Sequence, residues 1–416
     1  MSDKIKIFTI SDHPLSPSGV GTQTRYIIEG MLKTGKYEFV SFGGAIKHKD
    51  HQAQSLEEWG NDWVIWPVDG YGGPDQVRAL IHQQKPDMLW FMTDPRFFGW
   101  LWQMENEIRT HIPMVYYHVW DNYPYPHFNR PAYLSNDHIA CISRLTHDIV
   151  ETVTPEVESS YMPHAVDEQI FRPLDKEEVI NFKKQKGLDG KFVCFWNNRN
   201  ARRKQSGTLI WWFKEFLDRV GHDKAALIMH TDIKDHNGQD LEAIIQELGL
   251  TNGEVLFSQD KVAPVDLAMM YNMADLTINI ADAEGFGLAT LESLSSGTPI
   301  LVTMTGGLQD QITDGEKWFG IGLEPSSKAI IGSQQVPYIY EDRLSKDDFV
   351  DALVKLYEMP AEEREKLGAD GRAWTKRQFN FDIFIRRWDE LLTKVYEKNG
   401  SWEDRQGYKP YEVRMF

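Results

Sequence analysis

The chain has 416 residues, a formal net charge of −17, 14 tryptophans and only two cysteines. That length accommodates two or three domains with sizeable cores, and apolar runs such as Met88 to Met92 are far too short to cross a bilayer. The acidic balance disfavours passive attraction to nucleic acid or an anionic membrane, although a local basic patch remains compatible with it.

Cys141 and Cys194 fall inside strand-like stretches, as buried reduced thiols do, and give no metal framework. Met1 to Lys6 is charged and shows neither a signal-peptide nor a transit-peptide pattern, so the expected location is cytoplasmic. Lys4 to Ile10 (KIKIFTI) reads as a first strand. Ser11 to Gly21 (SDHPLSPSGVG) is a loop too rich in Pro, Ser and Gly for an element interior, and Thr22 to Leu32 reads as a helix. Strand-like and helix-like stretches then alternate: strands at Glu38 to Phe42, Trp63 to Val68, Met88 to Met92, Met114 to Val119 and Ile139 to Ile142, with helices at Pro74 to Gln84, Phe97 to Ile108 and from Leu145. Repeated βα units imply a mostly parallel sheet covered on both faces.

Composition shifts at Val166 to Lys191, where charge runs and a surface helix over Phe182 to Gly190 mark a boundary. The second half repeats the layout, with strands at Phe192 to Trp196, Ala226 to Met229 and Val255 to Phe257 and helices at Thr208 to Val220, Asp240 to Leu248 and Pro264 to Met273. Leu276, Ile278 and Ile280 then alternate with polar residues as a strand, followed by the glycine turn Glu284-Gly285-Phe286-Gly287 and a run of helix formers from Leu288 to Ser296. A strand, a glycine turn and a helix start form an anion site in an α/β sheet, and equally an ordinary connection with a capping glutamate. Ile330 to Tyr340 has no clear period and reads as loop; three helices close the chain before a polar, aromatic tail.

Asn198 to Lys204 (NRNARRK) sits where the first strand of the second half ends. Arg199 offers a forked donor and Lys204 a point charge there. A solvated basic turn is the ordinary reading of such a cluster, but this loop and the Glu284 loop leave the carboxyl ends of strands in one sheet.

With these segments in order, the sequence resembles family 4-type glycosyltransferases of the GT-B fold up to about residue 397. Glu284 and Glu292 resemble the family's paired glutamates, Arg199 and Lys204 its diphosphate clamp, and Ser18-Gly19-Val20-Gly21 its donor-facing glycine loop. His118 with Asp121 resembles its HD-type segment, and Met162 to Asp167 with Phe171 its hinge entry. Two departures stand out. His164-Ala165 replaces the usual hinge Asn-Gly, and Trp196-Asn197-Asn198 replaces a common Val-Gly before the clamp.

The resemblance implies an α/β fold of two Rossmann-like, doubly wound parallel-sheet domains facing across a cleft. The expected N-terminal, acceptor-side domain spans 1–168 and is completed by a C-terminal helix and tail at 385–416; the nucleotide-sugar domain spans 169–384. It further implies a retaining, metal-independent transfer of a sugar from a nucleotide-diphosphate sugar, UDP-type in preference to GDP-type, to a hydroxyl acceptor, with no cofactor. The implied donor residues are Gly19, Gly21, Arg199, Lys204, Glu284, Gly285, Phe286, Gly287, Leu288 and Glu292, with Glu292 on the ribose and Glu284 facing the sugar. The implied catalytic residues are Glu284, His118, Arg199 and Lys204. His118 is also open to a structural reading, hydrogen-bonded at a strand end.

The acceptor side is read from Asp121, Tyr123, Tyr125 and His127; the rings of the last three are spaced by prolines in a loop and suit sugar or base stacking. Phe97, Phe98, Trp100 and Trp102 read as core or interface. Arg96, Arg109, His111, Arg130 and Arg144 leave room for a DNA acceptor, as in phage enzymes that glycosylate hydroxymethylated bases. An epimerase, a phosphorylase and a catalytically silent nucleotide-sugar binding protein are the other readings; loss of the clamp and paired glutamates, which the silent protein would show, is absent here.

Overall fold

A computed structural model describes residues 4–412; the extremes of the expected domain ranges, 1–3 and 413–416, lie outside the described residues. Two parallel-sheet α/β units make up the fold, as the alternating pattern implied. The first sheet holds β1 (Ile5–Asp12), β2 (Tyr37–Gly44), β3 (Gln54–Ser55), β4 (Trp63–Pro67), β5 (Met88–Met92), β6 (Met114–His118), β7 (His138–Cys141) and β8 (Glu158–Tyr161), in the order β3-β4-β2-β1-β5-β6-β7-β8. Only the short β3 runs antiparallel to its neighbour. The second holds β9 (Phe192–Asn197), β10 (Ala225–His230), β11 (Val255–Ser258), β12 (Leu276–Asn279), β13 (Ile300–Thr303) and β14 (Gly320–Leu323), in the order β11-β10-β9-β12-β13-β14, all parallel.

The apolar run of β5 shows why these strands lack a polar face. Side chains alternate across a strand, so Trp90 and Met92 enter one core while Leu89 and Phe91 enter the core on the other face. In each sheet the order reverses around one central strand, β1 in the first and β9 in the second. Loops leaving such a strand and its neighbour diverge, opening a crevice at the carboxyl edge. The loop after β1, the basic loop after β9 and the Glu284 loop after β12 therefore all emerge at such points.

Three local expectations need correcting. Ile330 to Tyr340 is not simply loop: β15 (Ser327–Ile331) and β16 (Ile339–Arg343) pair antiparallel around a 332–338 turn. This hairpin is held by ion pairs and by contact with the first unit, not by one apolar face, so its sequence has no period of two. The expected helix over Phe97 to Ile108 breaks at Met104 into Gly99–Gln103 and Glu105–Arg109, after a 3-10 turn at Pro95–Phe98. The linker helix lies earlier, at Lys176–Gln185, because Asp175 caps it by accepting from the Glu177 and Glu178 amides.

The chain crosses between the units twice, and the two passes touch where the Val166 amide donates to Phe379 O at 3.2 Å. The helix Phe381–Asn399 then packs on the first unit: Trp388 meets Trp90 edge to face at 6.0 Å, and the Tyr37 hydroxyl donates to Asp389 at 2.7 Å. No helix among the described residues is long and apolar enough to cross a membrane. Beyond the helix, the Arg405 side chain is 4% exposed and bonds Asp137 at 2.8 Å and the Arg109 carbonyl at 2.8 Å. Asp137 keeps Arg109 and the Met114 amide if Arg405 is lost, so Arg405→Ala should cost about 3 kcal/mol, the lower end for breaking a buried pair. Urea denaturation would measure it, and a loss below about 0.5 kcal/mol, as at an ordinary surface site, would contradict a buried tether.

Candidate active site

Lys204 closes a 3-10 turn, Arg202–Lys204, just beyond β9, and Glu284 follows β12. Both are buried, and the Lys204 ammonium donates to the Glu284 carboxylate. Asn279, at the end of β12, donates to the same oxygen at 3.1 Å, and Arg203 donates to the Ala283 carbonyl. Burial raises the Glu284 carboxyl, but Lys204, Arg203 and Asn279 more than offset this and hold it below the usual range. Burial drives Lys204 down to about 8 despite Glu284 beside it. At neutral pH the pair is therefore charged on both sides.

The Glu284 turn is fixed from behind. Gly306 has φ +47° and a Cβ there would lie 1.7 Å from Glu284 O, so only glycine allows that loop to press so close, with the Gly307 amide bonding Glu284 O at 3.1 Å. Buried Gln311 donates to the carbonyls of Phe286 (2.7 Å) and Gly287 (3.0 Å). In a trans peptide the N–H opposes the C=O, so the Gly287 and Leu288 amides point away from Gln311. They stand at the N-terminus of the helix Leu288–Ser296, whose unpaired N–H groups favour an anion.

Glu292, on the same helix, accepts from the Tyr271 hydroxyl at 2.7 Å. Burial lifts its carboxyl to about 7, with the Tyr271 bond acting the other way. Arg199 stands apart. Its guanidinium forms a fork with Asp235 at 2.6 and 3.1 Å, and this bond holds Asp235 down to about 2.

The first unit meets this assembly directly. A Cβ on Gly19 would lie 3.1 Å from Leu288 Cδ1, and one on Gly285 would lie 3.9 Å from Asp121 Oδ2. Burial raises the Asp121 carboxyl, with Arg203 and Lys204 opposing and Glu284 reinforcing the rise. Gly21 instead turns into its own loop: a Cβ there would meet Ser16 Oγ at 2.5 Å, while its amide caps onto Ser18 at 3.0 Å. Tyr123 and Tyr125 both donate to Asp148, and His127 is exposed beyond them.

His118 is 0% exposed, with Nε2 2.7 Å from the Tyr133 hydroxyl, and burial drives it down to about 3. It lies in the core layer of Tyr116 and Tyr133, whereas Tyr117, one residue earlier and on the other face of β6, bonds His164 at 2.7 Å. His164 in turn packs edge-on against Phe286 at 5.0 Å. Where the hinge departs from the family pattern, then, an imidazole touches the glycine turn. Gln23 pairs with both backbone groups of Ala165, at 2.9 and 3.2 Å.

Sequence reasoning singled out neither Arg203, Asn279, Gln311, Tyr271 nor Gln23. Arg203 lies inside the basic run and Asn279 only five residues before Glu284; Gln311, Tyr271 and Gln23 carry no local signal, because each acts through a contact distant in sequence.

Residues 177–374 match the family model described as Glycosyl transferases group 1. Among curated relatives, alpha-monoglucosyldiacylglycerol synthase of Streptococcus pneumoniae is 29% identical over 67% of this chain and 58% of its own length. Mannosylfructose-phosphate synthase of Agrobacterium fabrum is 28% identical over 44% of this chain and 40% of its own. The chain thus spans roughly half the length of these two relatives. Among solved structures, sucrose-phosphate synthase of Thermosynechococcus elongatus superposes with a TM-score of 0.75 at 15% identity, covering 95% of this chain and all (100%) of that one. Anabaena HepE in complex with UDP-glucose superposes with a TM-score of 0.69 at 14% identity, covering 94% and 100%. Sheet order and structural matches agree on a two-domain GT-B fold, within which residues 177–374 match the glycosyl transferases group 1 model.

Proposed function

We propose that this protein is a retaining glycosyltransferase that moves a sugar from a nucleotide-diphosphate sugar, UDP-type in preference to GDP-type, to a hydroxyl acceptor without a metal. The observation that carries this reading is the convergence of Lys204, Arg203, Glu284 and a helix N-terminus at the crevice between β9 and β12. The bond from the anomeric carbon to the diphosphate breaks with its electron pair going to the phosphate oxygen. The acceptor oxygen bonds that carbon and releases its proton. Lys204, Arg203 and the Gly287 and Leu288 amides stabilise the charge growing on the leaving diphosphate. Glu284 faces the sugar, Glu292 the ribose hydroxyls, and Gly19 the phosphates. His118, neutral and packed into the far core layer, takes no part in the chemistry. The names of the relatives, which include synthases of a glucolipid and of sugar phosphates, support transfer to a hydroxyl and leave the acceptor class to the first unit.

Calorimetric titration with UDP, GDP and ADP tests the reading, with UDP expected to bind most tightly and insensitively to EDTA. Binding of none of the three would overturn it. Arg199→Ala should weaken UDP by about tenfold, the lower end for one charged hydrogen bond, because its guanidinium faces Asp235 and Asp232 and does not join the cluster around Glu284.

A further inference from the structure

The hairpin β15–β16 leaves the second unit and reaches the first. Its turn residue Val336 is buried in the first unit's core, and the Tyr340 amide donates to Tyr123 O while the Asn122 side chain donates to Tyr340 O at 2.8 Å. At its base the Asp342 amide donates to Asp282 O at 2.9 Å, two residues before Glu284. One hairpin therefore joins the donor crevice to the aromatic loop after β6.

Two tyrosine pairs flank this junction, one from each unit, linked through the backbone bond between Tyr340 and Tyr123. Tyr123 and Tyr125 stand edge to face at 5.3 Å and 82°, with both hydroxyls converging on a single oxygen of Asp148. Tyr338 and Tyr340 stand at 5.6 Å and 65°, with their hydroxyls 3.0 Å apart. Tyr125 is 37% and Tyr338 45% exposed. A tyrosine whose hydroxyl is engaged keeps a fixed ring, so little side-chain freedom remains to be lost on binding. Fixed rings beside an exposed carboxylate suit a ligand with apolar C–H faces and hydroxyl edges, which is the chemistry of a pyranose. Asp121, two residues before Tyr123, already stands beside Gly285, so the loop that carries Tyr123 and Tyr125 starts next to the donor turn.

We propose that Tyr123, Tyr125, Tyr338 and Tyr340 form a pyranose-stacking acceptor subsite, assembled from both units only when the hairpin is docked. This rests on the glycosyltransferase reading and names its acceptor class as a saccharide. Because half of the subsite travels with the nucleotide-binding unit, acceptor binding is coupled to closure of that unit on the first.

The test is saturation-transfer NMR on the full chain with methyl glucosides, maltose and cellobiose as probes, with and without UDP. Sugar C–H protons should gain saturation on wild-type protein, more strongly with UDP present. Tyr125→Ala and Tyr338→Ala should reduce it at least about fivefold, as loss of one stacked ring does, Tyr338→Phe should retain it, and none should shift UDP affinity more than about twofold. Absence of saturation from every probe, or undiminished signals in both alanine variants, would overturn the subsite. Failure to bind UDP would instead overturn the donor assignment, and the UDP-free arm would still judge the tyrosines.

Discussion

Lys204→Ala should reduce UDP affinity about 100-fold and abolish measurable turnover, the largest effect expected from any single change in the site. The ammonium is worth one or two charged hydrogen bonds to a diphosphate, about 1.5–3 kcal/mol each. Its removal also leaves Glu284 buried beside the incoming phosphates with Arg203 and Asn279 as its remaining partners. For the same reason the variant should lose about 3 kcal/mol of stability, since an unbalanced buried carboxylate costs more than the pair contributed. Calorimetry and urea denaturation together measure both losses. Lys204→Met with Glu284→Gln separates them: removing both charges should restore stability while leaving UDP unbound. Wild-type affinity in Lys204→Ala would remove this residue from the donor site.

UDP affinity should follow a bell in pH, highest between about 7 and 8. Burial has raised the Glu292 carboxyl to about 7, so below that value it gains a proton and accepts ribose hydroxyls poorly. Burial has lowered the Lys204 ammonium to about 8, so above that value it loses the charge that meets the diphosphate. Each limb can change affinity by up to about tenfold per pH unit, the slope of a single linked proton. The sign also appears as heat: binding should release a proton near pH 6.5 and take one up near pH 8.5, resolved by repeating the titration in buffers of different ionisation enthalpy. Glu292→Gln should remove the acid limb and leave only the titration of UDP itself. Identical acid limbs in the two proteins would assign that limb to the ligand alone.

Much of the fold was legible because buried parallel strands and their covering helices announce themselves locally. The runs at Met88 to Met92 and Met114 to His118, and the glycine turn at Glu284 to Gly287, are signals within ten residues. The hairpin at 327–343 was not legible. Its strands are held by Arg202 bonding Glu341, Arg343 bonding Asp282, and docking onto the first unit, none of which leaves a periodic trace.

Within the candidate site, the residue types and spacings of Arg199, Lys204, Glu284 and Glu292 stood out in the sequence, but their arrangement did not. Spacing marks Arg199 and Lys204 as one clamp; the structure ties Arg199 to Asp235 and inserts Arg203 beside Glu284 instead. His118 shows the same limit, since side chains one residue apart on a strand face opposite layers, and only packing decides which layer faces the partner unit.

By itself, then, the sequence determined two βα-alternating halves and which loops leave the carboxyl ends of their strands, because both follow from short-range periodicity and glycine placement. Tertiary structure alone decided that Lys204 neutralises Glu284, that Gln311 turns the glycine loop's amides outward, and that the hairpin's Tyr340 is bonded by the loop at Asn122 and Tyr123 in the other unit. Each of those depends on burial and on partners 20 to more than 200 residues away, and a carboxylate or ammonium acquires its charge state only once water has been excluded around it.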